Sequence, residues 1–353
     1  MDVLIWGDFK AGHDAKKIIE SKVSDVNCIG FVDRDKKKKK SEPYLVADYQ
    51  QMLVLYKKRI AEKIVIPSFY ERNLFRDIIY TVGKLDIDKE DIIVPPIELF
   101  FEERSFSADE FLVEWYRARQ IDYIEFATTD FCNLNCKGCA RFAPLANKEI
   151  YNHEEVKNSF RRLKKYISHI NMIRILGGEP FLDPDIEDYF VFLRELYPYS
   201  EIRVVSNGLL LQSTKAETFA AMRDNNVGLD MSYYPPLSER IDTIREKLGQ
   251  EGIDYKIESG EVFYKSFNLC SDDNVRQKKE ECRQWCISLR NGFIYPCATS
   301  ATVDYFKKTF SVNIPSNEGM DLFGETMSTE RIKDYLSKPI GLCRYCDFTK
   351  MSL

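Results

Sequence analysis

The sequence predicts an α/β protein: two strand–helix systems in series, closed by a small cysteine-rich element. Three observations carry this. Apolar strands alternate with amphipathic helices from residue 1 to about 95, and the alternation starts again at Ile121. The stretch "TDFCNLNCKGCARFAP", Thr129 to Pro144, packs Cys132, Cys136 and Cys139 into eight residues just after the first strand of the second system. The last portion, roughly 266 to 353, breaks the pattern and holds six cysteines.

A chain of 353 residues suits two or three domains. At 44% hydrophobic and 30% charged residues it can bury a real core. The net charge of −5 is mild and argues against a general nucleic-acid binder. The start, "MDVLIWGDFK", lacks a basic leader followed by an apolar stretch, and no run approaches the roughly 20 apolar residues of a membrane helix. The expectation is a cytoplasmic protein with no nucleic-acid or membrane partner. Ten cysteines are many for a reducing compartment, where clusters serve as metal ligands or catalytic groups more often than as disulfides. Only Cys28 lies before residue 130, in the strand "VNCIGFVD", where it packs as a small hydrophobe.

In residues 1–96, "DVLIWG", "VNCIGFVD" and "EKIVIPS" read as strands, and "HDAKKIIESK" and "ERNLFRDIIYTVGKL" as helices; "IVPP" at 93–96 closes a small parallel sheet. The run "KKKKK" at 36–40 is a solvated loop. Residues 97–120 form a charged, aromatic, partly helical connector. In residues 121–265, strands fall in "DYIEFATT", "NMIRILGG", "EIRVVSNG", "VGLDMSYY" and "IDYKIES". The helices between them are "EEVKNSFRRLKKYISH", "DIEDYFVFLREL", "KAETFAAMRDN" and "SERIDTIREKLG". Repeated units of this kind form a parallel barrel or partial barrel, with chemistry at the C-terminal strand ends. In residues 266–353 there is one hairpin, "CISLRNGFIYPC", turning at Asn-Gly, and one helix, "STERIKDYLSK". So little regular structure with so many thiols suggests an element held by metal.

Three thiolates close together suit iron–sulfur clusters. A structural zinc site takes four closed ligands, and the nearest further candidate, His153, lies at a helix start. C-x3-C-x2-C after the first strand of an α/β barrel resembles the radical S-adenosylmethionine (SAM) superfamily. "GGEP" after the second strand (Gly177, Gly178, Glu179, Pro180) and "VVSNG" on the third (Ser206, Asn207) agree in order and spacing. The resemblance implies a [4Fe-4S] cluster at Cys132, Cys136 and Cys139 with one open iron that SAM chelates. It implies that "GGEP" meets the methionine amino group, its exposed backbone carbonyls and Glu179 accepting from an ammonium. Ser206 and Asn207 then meet the ribose and carboxylate region, and Ser232 is a further SAM contact. The residue before the third cysteine, aromatic in the family, is Gly138 here, and Phe142 is the candidate substitute beside the adenine. The reaction implied is reductive SAM cleavage to a 5′-deoxyadenosyl radical that takes a hydrogen atom from the substrate, with flavodoxin or ferredoxin as electron donor.

The C-terminal cysteines resemble the SPASM/Twitch elements behind many such barrels. The resemblance implies one auxiliary [4Fe-4S] cluster, on Cys297, Cys343, Cys346 and either Cys282 or Cys286. A zinc knuckle is the alternative. Cys270 and Cys286 are the candidate hydrogen-atom donors: a thiol facing the substrate makes an epimerase, and none makes a dehydrogenase.

"VLIWGDFKAGHDAKKII … CIGFVDRD" resembles the Rossmann-like sugar- and nucleotide-binding modules of surface-polysaccharide enzymes. Between Gly7 and Gly12, Asp8 would repel a phosphate, so a docking module for a partner stands as the alternative. The expectation is a Rossmann-like sheet, a partial (β/α)6 TIM-like barrel and a Twitch-like element. Together they would act on a small sugar or nucleotide-sugar substrate. A peptide-modifying enzyme and a non-catalytic iron–sulfur or zinc protein are the alternatives. Tyr233, Tyr234 and Arg174 are candidate barrel residues to reach a substrate, with packing or support of SAM as the alternative role that weighs more for each.

Overall fold

The computed structural model describes residues 1–33, 45–67, 78, 81–259, 263–264, 268–271, 273–275, 282, 286–347 and 350–351. The lysine run at 36–40 and most of the helix expected over 71–85 lie outside the described residues. The chain divides into two compact units, Met1–Asp122 and Tyr123–Leu353.

In the first unit, β1 (Asp2–Trp6), β2 (Asn27–Val32), β3 (Leu45–Ala47), β4 (Lys63–Val65) and β5 (Ile92–Ile93) form one parallel sheet in the order β3-β2-β1-β4-β5. This is the Rossmann ordering that the alternation predicts. Val3, Leu4 and Ile5 are fully buried in succession, because both faces of the sheet are covered. Helix α1 (Lys10–Lys22) puts Ala15 and Ile19 on Val3, Ile5 and Phe31. Helix α2 (Tyr49–Lys57) puts Met52 on Leu4, Trp6 and Val32 on the other face. Neither β3 nor α2 was expected. Their signal is a capping box: Asp48 accepts from Gln51 N at 2.9 Å while Gln51 Oε1 accepts from Asp48 N at 3.1 Å. The connector holds two helical turns, Glu98–Phe101 and Ala108–Phe111, as expected.

The turn after β1 is filled by its own side chains. Gly7 has φ 107°, and a Cβ there would collide with the Phe9 ring. Asp8 lies 2.9 Å from His13 Nε2, its amide donates to Asp33 Oδ2 at 3.3 Å, and the His13 ring packs on Phe31 at 4.2 Å.

The second unit is built on an eight-stranded sheet, β10-β9-β8-β7-β6-β12-β13-β14. Its strands are β6 (Gln120–Ala127), β7 (His169–Leu176), β8 (Glu201–Ser206), β9 (Val227–Tyr233), β10 (Tyr255–Ser259), β12 (Ser288–Arg290), β13 (Phe293–Tyr295) and β14 (Met320–Asp321). A separate antiparallel pair joins β11 (Phe263–Tyr264) to β15 (Lys350–Met351). Helices α3 (His153–Lys164), α4 (Glu187–Leu196), α5 (Ala216–Asp224) and α6 (Ile241–Gln250) fall where the sequence puts them. Phe126, fully buried, meets Phe160 of α3 and Tyr189 of α4 edge-on, each at 5.1 Å, and ties β6 to both helices. Such aromatic pairs contribute about 0.5–1.5 kcal/mol each beyond their buried area.

The cysteine-rich segment does not stand apart from this sheet. The hairpin β12–β13 turns at Asn291 and Gly292, with φ 50° and 79°, as Asn-Gly predicts. β12 then pairs in parallel with β6, Ser288 opposite Glu125 and Leu289 opposite Phe126, and so supplies the sixth parallel strand of the partial barrel. Among its described residues the segment also holds two helices, α7 (Ala298–Phe310) and α8 (Thr329–Ser337), where only the second was expected. α7 opens on Ala-Thr-Ser-Ala-Thr-Val, a run with weak intrinsic preference for helix. Packing of Val303 and a cap from Cys297, whose Sγ accepts from Ser300 N at 3.4 Å, make it a helix.

Candidate active site and metal centres

The triplet loop leaves β6 at its C-terminal end and is seated on the "GGEP" segment that leaves β7. Gly178 N donates to Thr129 O at 2.9 Å and Glu179 N to Phe131 O at 3.1 Å. A Cβ on Gly177 would strike Thr129 O, and one on Gly178 would strike the Phe131 carbonyl. Both glycines are needed because the cysteine loop runs directly over them.

Glu179 is fully buried and joins this loop to the end of β8. It accepts from Ser206 Oγ at 2.8 Å, from Asn207 N at 2.9 Å and from Phe181 N at 3.3 Å. Burial outweighs these bonds and pushes its pKa up to about 7. Its oxygens thus accept from the protein's own donors. Asn207 Nδ2 donates to Asn133 Oδ1 at 2.7 Å and reaches Cys132 Sγ at 3.5 Å. Pro180 is buried and opens a short 3-10 turn, Pro180–Leu182.

The three thiols are partly buried. Burial raises the pKa of Cys132 and Cys136, and the neighbouring Cys139 adds to both. Leu134 N, 3.4 Å from Cys132 Sγ, favours its thiolate. Tyr234, just past β9, is half-buried and bonded to Ser232; burial first, then the proximity of Cys136, Cys139 and Cys132, raises its phenol pKa. Ser232 and Tyr234 therefore stand at the triplet. Phe142, the residue offered for the place beside the adenine, is left-handed, φ 54°, and its ring lies 5.5 Å from Phe306 against a cluster of Val303, Ile314 and Leu342.

Beneath the loop lies a buried charge network that the sequence did not announce. Asp130 Oδ2 accepts from Tyr151 OH, from Tyr305 OH at 2.9 Å and from Arg290 Nε at 3.1 Å. Burial works against its charge, but the Arg141 and Arg290 guanidiniums win and hold its pKa low. Arg141, two residues past Cys139, bonds Glu125 at 2.7 Å and pairs through Nη2 with Asp130 at 3.7 Å, while among the described residues its Nε has no hydrogen-bond partner. On the neighbouring strands Arg174 and Arg203 share Asp230. Arg174 is thus engaged in a lumen ion pair, and Tyr233 is partly buried. Only the position of Asp130, two residues before Cys132, could have flagged this network. His153 Nε2 lies 3.0 Å from Asp183, in a structural pair rather than with the triplet.

In the C-terminal set, Cys297 is desolvated, which raises its pKa, and Cys282 and Cys343 lie close enough to raise it further. Ile340 N donates to Cys343 Sγ at 3.4 Å. Cys286 and Cys346 are partly buried, and Cys270 is exposed, its amide donating to Asn268 Oδ1 at 2.9 Å. Among the described residues no three Cys, His, Asp or Glu side chains converge as a finished metal cage. The donor sets nevertheless fit a metal–sulfur group. Each gathers thiols that act on one another electrostatically, partly out of water, with backbone N–H groups turned to sulfur. Among the described residues no helix is long and apolar enough to cross a membrane.

The family model described as the radical SAM superfamily matches residues 126–265, so the chain carries a radical SAM domain. Domains of this family use SAM and a [4Fe-4S] cluster. Curated relatives include the GTP 3',8-cyclase of Sulfurovum sp. (strain NBC37-1), 29% identical over 179 residues, which are 49% of this chain and 54% of the relative. The GTP 3',8-cyclase of Clostridium acetobutylicum is 33% identical over 116 residues, 32% of this chain and 36% of the relative. The chain thus spans about half, or less, of the length of the curated relatives it matches. Among solved structures it is similar to BtrN in complex with AdoMet and 2-DOIA, at 12% identity and a TM-score of 0.39, over 61% of this chain and 82% of that one. Streptococcus suis SuiB is similar at 15% identity and a TM-score of 0.28, over 72% and 62%.

Proposed function

We propose that this radical SAM domain serves an enzyme that takes a hydrogen atom from a small, nucleotide-linked substrate. One observation carries the reading: the cysteine loop, "GGEP", Ser206–Asn207 and Ser232–Tyr234 meet at the C-terminal ends of successive parallel strands, where chemistry is expected. The residues to hold the cluster are Cys132, Cys136 and Cys139. When bound there, a reduced cluster with SAM supplies the hydrogen-abstracting species.

The chain's own groups shape the place where this happens. Gly177 and Gly178 let the cysteine loop lie flat on β7, and Glu179 locks that loop to the end of β8. Asn207 keeps an amide beside Cys132, and Tyr234, just past β9, lies close enough to the three thiols to interact with them electrostatically. The Arg141 and Arg174 guanidiniums, each ion-paired, with Glu125 and Asp230, give the lumen polar, hydrogen-bonding walls. A nucleotide moiety suits that lumen and the curated relatives' names. A sugar substrate is kept only in nucleotide-linked form, and neither the lumen nor those names favours a ribosomal peptide. Cyclisation, as the relatives' names describe, joins epimerisation and dehydrogenation as outcomes. A low-potential protein donor such as flavodoxin or ferredoxin is required.

For a second centre we assign Cys297, Cys343 and Cys346 with Cys282 or Cys286 as the fourth ligand, and the spacing from Cys282 to the Gly292 hairpin favours Cys282. The test uses anaerobically reconstituted protein, with iron and sulfide counted and 5′-deoxyadenosine formation followed with dithionite and SAM. Two four-iron clusters give about eight irons, falling to about four, with SAM cleavage lost, in a Cys132→Ala, Cys136→Ala, Cys139→Ala variant. Folded wild type with neither iron nor SAM cleavage overturns the reading.

A further inference from the structure

Glu318 lies just before β14, partly buried, and the backbone fixes where it points. Asn317 is left-handed, φ 58°, and Gly319 is pressed on Tyr295, where a Cβ would meet the ring at 2.6 Å. The Glu318 carboxylate crosses to the turn that carries "CRYC". Oε1 accepts from Gly341 N at 2.6 Å and Oε2 from Leu342 N at 2.9 Å. Its backbone carbonyl accepts from Tyr335 OH of α8. Gly341 and Leu342 open a 3-10 turn, Gly341–Tyr345, so their N–H groups have no acceptor within it. The same turn aligns the thiols: Ile340 N donates to Cys343 Sγ at 3.4 Å, and Cys346 N to Cys343 O at 3.3 Å. Gly341 and Glu318 are matched, since a Cβ on Gly341 would meet Oε1 at 2.6 Å.

We propose that Glu318 is a positioning residue for the second metal centre, holding the Gly341–Tyr345 turn by two charge-assisted bonds so that Cys343 is presented to Cys297. This rests on the reading that the C-terminal cysteines hold a metal. The clamp is separable from the fold. Leu342 keeps the turn anchored through Val303 and Ile314, a contact that does not involve the carboxylate. Removing Glu318 therefore loosens the thiols while the apolar anchor stays.

The experiment compares full-length, anaerobically reconstituted wild type with Glu318→Ala, Glu318→Gln and the triple Cys132→Ala, Cys136→Ala, Cys139→Ala variant. Iron, zinc and sulfide are counted, and the reduced proteins are examined by electron paramagnetic resonance with and without SAM. Glu318→Ala is expected to fall from about eight irons to about four, with the SAM-responsive signal of the triplet intact. Glu318→Gln, which keeps one acceptor, retains more metal than Glu318→Ala and less than wild type. Wild-type metal content with both signals in Glu318→Ala overturns the proposal. Where Glu318→Ala does not fold, a folded Glu318→Gln decides, and full metal content there overturns it equally. A triple cysteine variant holding neither iron nor zinc means that the C-terminal cysteines bind no metal. The underlying reading then fails, recognisably apart from the role of Glu318.

Discussion

Glu179 shows how burial sets what a motif side chain touches in the protein itself. Its place in "GGEP" is legible from sequence, but burial decides that the carboxylate faces Ser206 and Asn207. With its pKa raised from 4.5 to about 7, the folded state holds more protons than the unfolded one between those values. The stability this contributes is complete below pH 4.5 and is lost as pH rises through 7, roughly 3 kcal/mol in all. Denaturant midpoints taken across that range should fall with rising pH, and Glu179→Gln should flatten the fall. Gly178 gives a second test. Gly178→Ala pushes a methyl into the Phe131 carbonyl and should cost about 1–3 kcal/mol and lower iron at the triplet, read by thermal melting and metal analysis. The Phe142 ring packs on Phe306, which lies on a helix that no local pattern revealed.

At the level of elements, the strands and helices of the second unit were legible because each carries its own periodicity and turn chemistry. Asn291-Gly292 is the plainest case. What was not legible is pairing over long range. Arg290 reaches Asp130 across 160 residues, and nothing in either neighbourhood announces the partner. The same holds for β3, three residues long, and for α7, whose threonines and serine argue against the helix that packing imposes. The Asp130 network should be costly to open from one side. Asp130→Ala leaves the Arg290 charge buried with one carboxylate fewer and should destabilise by about 3–5 kcal/mol, measured as a shift in urea midpoint.

For the whole molecule, the sequence's break between a first and a second α/β system corresponds to two compact units, each with its own core. Calorimetry should therefore resolve two transitions, and a single cooperative transition would show that the units melt as one. The parallel pairing of β12 with β6 has a consequence for how the protein is made. A strand near the middle of the chain keeps one edge unpaired until residues 288 and 289 arrive. The thiol loop at its end can settle on "GGEP" once β7 is made, but the strand that carries it stays open along its other edge throughout synthesis of the intervening barrel. Such non-local closure is slow. The time between translation of Glu125 and docking of Ser288 is the interval in which that edge can pair with a wrong strand.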